Sequence, residues 1–261
     1  MAKKVPRGDP SFPVLGPEDF FPFPSPSTAD EWGVVCSGGN LSPGLLLSAY
    51  RQGIFPWFSE DEPLLWWSPD PRFVLFPEKL HVTGTMRKLL KKRRFELSLD
   101  RDFEAVIRAC SSLPRKGQQG TWITEDMIEA YVELHRLGYA HSAEARLDGR
   151  LVGGLYGVSL GSIFFGESMF SREDDASKAA FIPLVLALRE EGFTLIDSQV
   201  YTDHLAGLGA EEIGRNAYLG LLETALRSPT RRGSWASSFS AFPDSAGYRH
   251  LIAESEQPKR P

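Results

Sequence analysis

The run His141-Ser142-Ala143-Glu144-Ala145-Arg146-Leu147-Asp148-Gly149 leads into Leu151-Val152-Gly153-Gly154-Leu155-Tyr156-Gly157-Val158-Ser159 and then Ile163-Phe164-Phe165-Gly166-Glu167-Ser168. Asp148-Gly149 is a two-residue hairpin signal, because a tight turn between twisted strands needs positive φ, which Asp and Gly tolerate. Strands are therefore predicted over 141–147 and 151–159, and Gly161-Ser162 turns the chain into a third, Ile163 to Ser168. Further on, the pattern predicts a helix over 176–191, a strand from Phe193 to Val200 and a last helix over 215–227. Upstream, Thr124 caps a helix with Met127, Ile128, Tyr131 and Leu134 inward, ended by Gly138. Asp100 reads as the cap of a helix that aligns Phe103, Val106, Ile107 and Cys110. Phe95 to Leu99 reads as a strand, and Thr83 caps a basic helix ending near Arg94. Three antiparallel strands, a helix and a further strand make an α+β chain with a mixed sheet flanked by helices.

The first third is built differently. Ser42-Pro43 opens a helix with serine as cap and proline at its first position, and Gly53 stops it. Residues 1–39 read as an irregular Pro- and Phe-rich arm whose aromatics pack on a neighbouring domain, with the first ten disordered. Trp57, Trp66 and Trp67, interleaved with Pro56, Pro63, Pro69 and Pro71, mark a boundary near residue 71. The expected organisation is a small N-terminal domain (1–71), a larger domain (72–228) and a loosely ordered tail (229–261).

Composition excludes several classes. With 42% hydrophobic and 24% charged residues the chain is globular, and no apolar run of about 18 residues is present to span a bilayer. Met1-Ala2-Lys3-Lys4 has no apolar run behind it and is not a secretory signal. Cys36 and Cys110 form neither a metal-ligand spacing nor a disulfide framework, so no metal is expected and the cytoplasm is the default compartment. Phosphate-binding glycine loops and His-Glu-x-x-His are absent. The net charge of −5 argues against a domain-wide grip on nucleic acid.

Three local features stand out. Glu167 follows the apolar run Ile163-Phe164-Phe165, and Asp197-Ser198-Gln199 follows Phe193-Thr194-Leu195-Ile196. The two-residue spacing puts Asp197 and Gln199 on one strand face, either for a joint role on one substrate or in an internal hydrogen-bond network. Trp57, Trp66, Trp67 and Trp122 are core filler or flat walls for a planar ligand. On a helix from Thr83, Arg87, Lys88, Lys91 and Arg94 line one broad face, which suits a phosphate backbone or is simply solvated.

Glu167, Asp197, Gln199 and the four tryptophans sit in motifs that resemble the leucyl/phenylalanyl-tRNA–protein transferases, while the basic helix is assigned from its charge and that family's need for tRNA. The matching segments are Gly38-Gly39-Asn40-Leu41-Ser42-Pro43, Tyr50-Arg51-Gln52-Gly53-Ile54-Phe55-Pro56-Trp57-Phe58, Leu65 to Arg72, Gly120-Thr121-Trp122-Ile123-Thr124 and Leu137 to Ser142. They continue with Leu151 to Gly157, Gly166 to Ser171, Ala176-Ser177-Lys178, Ile196 to Gln199, His204-Leu205 and Leu208-Gly209-Ala210. The resemblance implies a small N-terminal domain plus a larger domain like the acetyltransferase (GNAT) superfamily. It implies transfer of Leu or Phe, with Met a further candidate, from aminoacyl-tRNA to the N-terminal Arg or Lys of a protein, which then enters N-degron degradation. Asp197 and Gln199 carry over as the catalytic pair and Glu167 as a site carboxylate and one candidate partner for the acceptor's cation. Trp57, Trp122 and Tyr131 would surround the adenosine end; Leu155, Phe164, Met169, Leu184 and Leu188 would line the side-chain pocket; Arg87, Lys88, Lys91 and Arg94 would track the acceptor stem. The expected partners are Leu-tRNA, Phe-tRNA and proteins with N-terminal Arg or Lys, with a monomeric enzyme. No cofactor is implied, because an aminoacyl ester is already activated.

Departures from the family pattern are specific. The pyrophosphate loop of acetyl-CoA users is replaced by Ser171-Arg172-Glu173-Asp174-Asp175-Ala176, whose acidic side chains disfavour CoA. Asn40 stands where an aspartate is usual, Ser198 where a cysteine is common, and Gly214-Arg215-Asn216-Ala217 where Pro-Arg-Arg is frequent. Pro183 falls inside a predicted helix and should kink it or disturb a bond to the preceding turn. Two rival readings are a non-catalytic tRNA- or degron-binding module and another aminoacyl-tRNA-dependent peptide transferase. The retained Asp197, Gln199 and Glu167 argue against the first, and the apolar pocket against the second.

Overall fold

The structure is a computed structural model that describes residues 11–59, 62–112, 123–239 and 241–253; Trp122 and the first ten residues lie outside the described residues. The N-terminal arm is irregular, as its prolines require, and its aromatics do pack inward. Phe12, Phe21, Phe23 and Trp66 form an edge-to-face chain with successive ring centroids 5.3, 5.2 and 4.9 Å apart. The arm is pinned to β1 (Val34–Ser37), α1 (Pro43–Arg51), β2 (Phe55–Pro56) and β3 (Leu65–Trp67), which form an antiparallel sheet of order β1-β3-β2. Pro43 opens α1, but Ser42 spends its hydroxyl elsewhere, accepting from Leu15 N at 3.1 Å. Asn40 accepts from Ser42 N at 3.0 Å and donates to the carbonyls of Phe12 and Pro13 at 3.3 and 3.1 Å. Those last two bonds need an amide, so the departure from aspartate ties the arm down.

The rest of the chain runs β4 (Arg72–Leu75), α2 (Gly84–Lys91), β5 (Glu96–Leu99), α3 (Phe103–Ser112), α4 (Glu125–Arg136), β6 (Ala140–Leu147), β7 (Arg150–Leu160), β8 (Ile163–Ser171), α5 (Ala176–Glu190), β9 (Leu195–Asp197), α6 (Asp203–Ala206), β10 (Glu211–Ile213) and α7 (Arg215–Ala225). A seven-stranded sheet of order β10-β4-β9-β8-β7-β6-β5 is antiparallel except for the β8–β9 pair, which the α5 crossover makes parallel. The predicted hairpin is present, with Asp148 and Gly149 at φ 52° and 75°. Thr83 and Thr124 cap α2 and α4 by accepting from Met86 N and Met127 N. The expected strand 193–200 shrinks to β9, and α2 ends before Arg94.

Helices cover both faces of the large sheet. Ile163 and Phe165 of β8 and Leu195 of β9 point towards α1, α3, α4 and α7, while Phe164 and Ile196 point towards α5. This period of two explains the unbroken apolar strands. Pro183 is buried within α5, which continues through it from Ala176 to Glu190. Proline lacks the N–H that Ala179 O would accept, so the helix loses one bond and is held by packing.

Two expectations are overturned. Asp100 does not cap α3. It has φ 52°, and its carboxylate accepts from Ser142 N and Trp235 N and pairs with His141 Nδ1 at 2.9 Å. The side chain facing α3 is Asp102, which accepts from Ala105 N at 3.4 Å. The described part of the stretch beyond Arg227, up to residue 253, is packed rather than loose: it forms α8 (Trp235–Ser238) and α9 (Ala246–Ala253). Trp235, 1% exposed, stacks on His141 with centroids 3.8 Å apart, Phe239 is buried beside it, and Tyr248 of α9 is buried in the same core. One buried tryptophan clamped by a carboxylate outweighs the polar composition around it.

Candidate active site

A cavity of about 440 Å³ opens where the two parallel strands part. β8 and β9 pair only as far as Phe165 and Asp197. Beyond that, β8 continues along β7 while the chain from β9 turns away through Ser198 to Thr202, leaving a hollow between them. Its apolar wall includes Leu155, Met169, Phe170, Phe181 and Ile196, and Phe55 and Trp57 close it from the small sheet. Glu167, Ser198, Gln199 and His204 are among its polar residues.

Glu167 owes its position to a bulge. Tyr156 pairs with Ser168 and Gly157 with Gly166, so Glu167 is the extra residue on β8. The bulge reverses the alternation. Before it, Ile163 and Phe165 face the α1 and α4 side; after it, Phe170 does, and Met169 turns to the α5 side. Gly157 permits this, since a Cβ there would lie 2.2 Å from Phe165 O. One irregularity thus points Glu167 towards the helices and Met169 into the cavity wall.

Three donors converge on Glu167. Tyr50 from α1 and Gln199 Nε2 each donate to Oε1 at 2.8 Å, and Tyr131 from α4 donates to Oε2 at 3.2 Å. The two tyrosine hydroxyls are also within hydrogen-bond reach of each other, and since each has one proton, all three contacts are hydrogen bonds at once only when the Glu167 carboxyl is protonated and donates in its turn. Burial pushes the Glu167 carboxyl up to about 7, against the pull of these hydrogen bonds and with a contribution from the charge of Asp197. Burial also pushes both tyrosines well above their ordinary value, assisted by Glu167, so they remain donors.

Asp197 stands behind this group. It is fully buried and held by a parallel fork from Arg72, Nε to Oδ1 at 2.8 Å and Nη2 to Oδ2 at 2.7 Å, while Tyr218 donates to Oδ2 at 2.7 Å. The guanidinium carbon lies over the rings of Phe55 and Tyr218, 4.7 and 4.5 Å from their centroids, and Nη1 donates to Gly53 O. Burial opposes the charge on Arg72, but Asp197 outweighs it and holds the group above its ordinary value. Gln199, at φ 64°, donates its backbone N–H to Asp197 Oδ1 at 2.9 Å and turns its amide to Glu167. A non-glycine residue in the left-handed region beside a cavity is strain placed where geometry matters.

Of the expected site residues, Trp57, Leu155, Glu167, Met169 and Gln199 come together on the cavity wall. Asp197 and Tyr131 lie just behind it, neither of them lining it. Phe164, Leu184 and Leu188 are not on the wall. They are buried in the core between sheet and α5, with Phe164 5.7 Å from Trp235, because the facing turn of α5 presents Phe181 instead. Three donors hold Glu167, two on Oε1 and one on Oε2, so of its roughly four acceptor sites one on Oε2 is left, too little to clamp an acceptor guanidinium or ammonium. Lys88 and Lys91 are exposed on α2, while Arg87 donates to Val82 O and Arg94 pairs with Glu173 at 2.8 Å. A second hollow, of about 340 Å³, includes Thr83 and Thr85 at the start of α2 and shares His204 with the main cavity, so the basic helix begins at the cleft's edge. Sequence reasoning missed Tyr50, Arg72, Phe181 and Tyr218. A polar tyrosine on an otherwise apolar helix face was the one available signal, at Tyr50.

Two family models match the chain, one described as leucyl/phenylalanyl-tRNA protein transferase over residues 74–223 and one as its N-terminal domain over residues 39–70. The leucyl/phenylalanyl-tRNA–protein transferase of Syntrophus aciditrophicus (strain SB) is 58% identical over 215 residues, 82% of this chain and 90% of that protein. The one of Myxococcus xanthus (strain DK1622) is 55% identical over 221 residues, 85% of this chain and 94% of that protein. Among solved structures, a GCN5-related N-acetyltransferase-like protein from Streptococcus suis 89/1591 matches with a TM-score of 0.31 and 18% identity, covering 54% of this chain and 59% of that one.

Proposed function

This chain belongs to the leucyl/phenylalanyl-tRNA–protein transferase family, and from that premise we propose that its donor is Leu- or Phe-tRNA and its acceptor a protein beginning with Arg or Lys. The class of activity is aminoacyl transfer from tRNA to protein. The apolar wall of Leu155, Met169, Phe181 and Ile196 supports an apolar amino-acid side chain in the cavity, and leaves room for Met as well. Such a wall separates near-isosteres by only about 1–3 kcal/mol, which is consistent with more than one amino acid being used. Trp57 supplies a flat face for the terminal adenosine, and Lys88 and Lys91 with Arg87 suit the phosphates of the acceptor stem.

The observation that carries the chemical reading is Glu167, a carboxyl on the cavity wall with its pKa near 7 and three donors fixing its orientation. The acceptor's α-amine, with a pKa of roughly 8, attacks the ester carbonyl carbon as the neutral base. A C–N bond forms, the ester C–O bond to the ribose breaks, and the amine proton passes to Glu167 and from it to the leaving ribose oxygen. Gln199 orients Glu167 and the incoming amine, since an amide is not a base at neutral pH. Asp197 acts as a positioning residue through the backbone of Gln199. The remaining acceleration comes from holding ester and amine in contact.

Among the described residues no helix is long and apolar enough to cross a membrane. We place the reaction in the cytoplasm, where charged tRNA is made, with a monomeric enzyme, and read the added residue as a mark for degradation. The test is transfer of labelled Leu or Phe from its tRNA to a peptide beginning with arginine, against one beginning with glycine. Transfer to the arginine peptide alone is expected; equal transfer to both would remove the acceptor rule. Glu167→Gln is expected to lower kcat by about 100-fold or more.

A further inference from the structure

Arg72 and Asp197 form a fully buried, two-bond ion pair, and a pair so placed adds little net stability over apolar residues of the same shape. Its neighbours indicate another use. One residue, Gln199, links the pair to Glu167: its N–H is held by Asp197 Oδ1 and its side-chain amide reaches Glu167 Oε1, both through a left-handed backbone at φ 64°. The guanidinium lies against the rings of Phe55 and Tyr218, and Phe55 is itself part of the cavity wall, so the pair is packed directly behind the cavity.

We propose that Arg72 is a positioning residue: through Asp197 it pins Gln199 against Glu167, and its charge cancels that of Asp197 so that Glu167 titrates in response to the acceptor amine. The proposal rests on the reading that Glu167 takes the amine proton. The charged and titratable groups around Glu167 are Tyr50 from α1, Tyr131 from α4, Asp197 from β9 and Arg72 from β4, while Tyr218 from α7 faces Asp197. Both tyrosines remain donors, the ion pair of Arg72 and Asp197 lies behind them, and His204, whose pKa burial lowers, lines the same cavity.

Charge and geometry separate experimentally. A guanidinium cannot shed its proton, so Asp197→Asn leaves a bare positive charge behind Glu167, and the titration midpoint of Glu167 should fall by about one pH unit. Arg72→Met combined with Asp197→Asn removes both charges and should return the midpoint to the wild-type position. Arg72→Lys keeps the charge and loses the fork; the midpoint should stay while kcat falls about 10- to 100-fold with KM little changed.

The experiment is carbon-13 NMR of the full chain labelled at glutamate δ-carbons, with the Glu167 signal assigned from Glu167→Gln, alongside the pH profile of transfer. The double variant and Arg72→Lys guard against a single variant that does not fold, and thermal melts verify each. A midpoint that is the same in wild type, Asp197→Asn and the double variant overturns the proposal. A midpoint that moves as expected while the transfer profile does not follow supports charge-setting by the pair and removes Glu167 as proton acceptor. A wild-type profile with an ionisation near 7 that is lost in Glu167→Gln but unmoved in Asp197→Asn leaves the proton acceptor in place and overturns the role of Arg72.

Discussion

Replacing Glu167 by glutamine should make this protein more stable at alkaline pH while disabling it. The carboxyl has a pKa of about 7 in the folded protein against an ordinary 4.5. Between those values the folded state holds a proton that the unfolded chain has released, so stability falls as pH rises through the window and the loss is complete above it. At 1.36 kcal/mol per unit the wild type forfeits about 3 kcal/mol between pH 4.5 and pH 8 at this one residue. Glutamine escapes that loss. Its carbonyl still accepts from Tyr50 and Gln199, and its amide can donate to the Tyr131 oxygen, so the hydrogen-bonded frame survives. Urea unfolding of both proteins at pH 5 and pH 8.5 gives four stabilities. The difference, variant minus wild type, should grow by about 2–3 kcal/mol from the lower to the higher pH. A difference that does not change with pH would refute the reasoning, because it would mean that Glu167 titrates alike in both states.

Trp235→Ala should cost about 3–5 kcal/mol in urea unfolding, because the indole is 1% exposed and stacked between His141 and the core; a cost below about 1 kcal/mol would restore the view of the tail as loose. Lys88→Gln with Lys91→Gln should weaken tRNA binding and reduce its log–log salt slope by about 1–2, measured by filter binding over a salt series; an unchanged slope would take the acceptor stem off α2. Asn40→Asp should lower stability by about 1 kcal/mol, because a carboxylate cannot donate to the carbonyls of Phe12 and Pro13; thermal melts of the two proteins decide it.

Local rules made the framework legible. The Asp148-Gly149 turn, the threonine caps at Thr83 and Thr124 and the buried face of α4 all depend on residues within a few positions of each other. The meeting of Glu167 with Gln199 was legible too, because both residues interrupt apolar strands at the same end of one sheet. What the sequence concealed depends on contacts far along the chain. Arg72 after Pro71 reads as a surface cation, and only the fold brings Asp197 to it across 125 positions. Asp100 reads as a helix cap until His141 and Trp235 claim its carboxylate. Leu184 and Leu188 have the chemistry of a pocket wall, but the crossing of α5 over the sheet turns them into the core. The bulge at Glu167 left only glycines inside strands as a trace, Gly157 and Gly166, and glycine there has several other readings.

The hydrogen-bonded group around Glu167 draws on Tyr50, Arg72, Tyr131, Asp197, Gln199 and Tyr218, so it gathers residues from position 50 to position 218. A ribosome delivers that sequence in one direction at about 5–20 residues per second. Tyr50 emerges early and has no carboxylate to meet until β8 follows, and Asp197 is not fully held until α7 has cleared the exit tunnel. A nascent chain that stops short of α7 therefore holds this group only in part, with the Asp197 carboxylate lacking the Tyr218 donor.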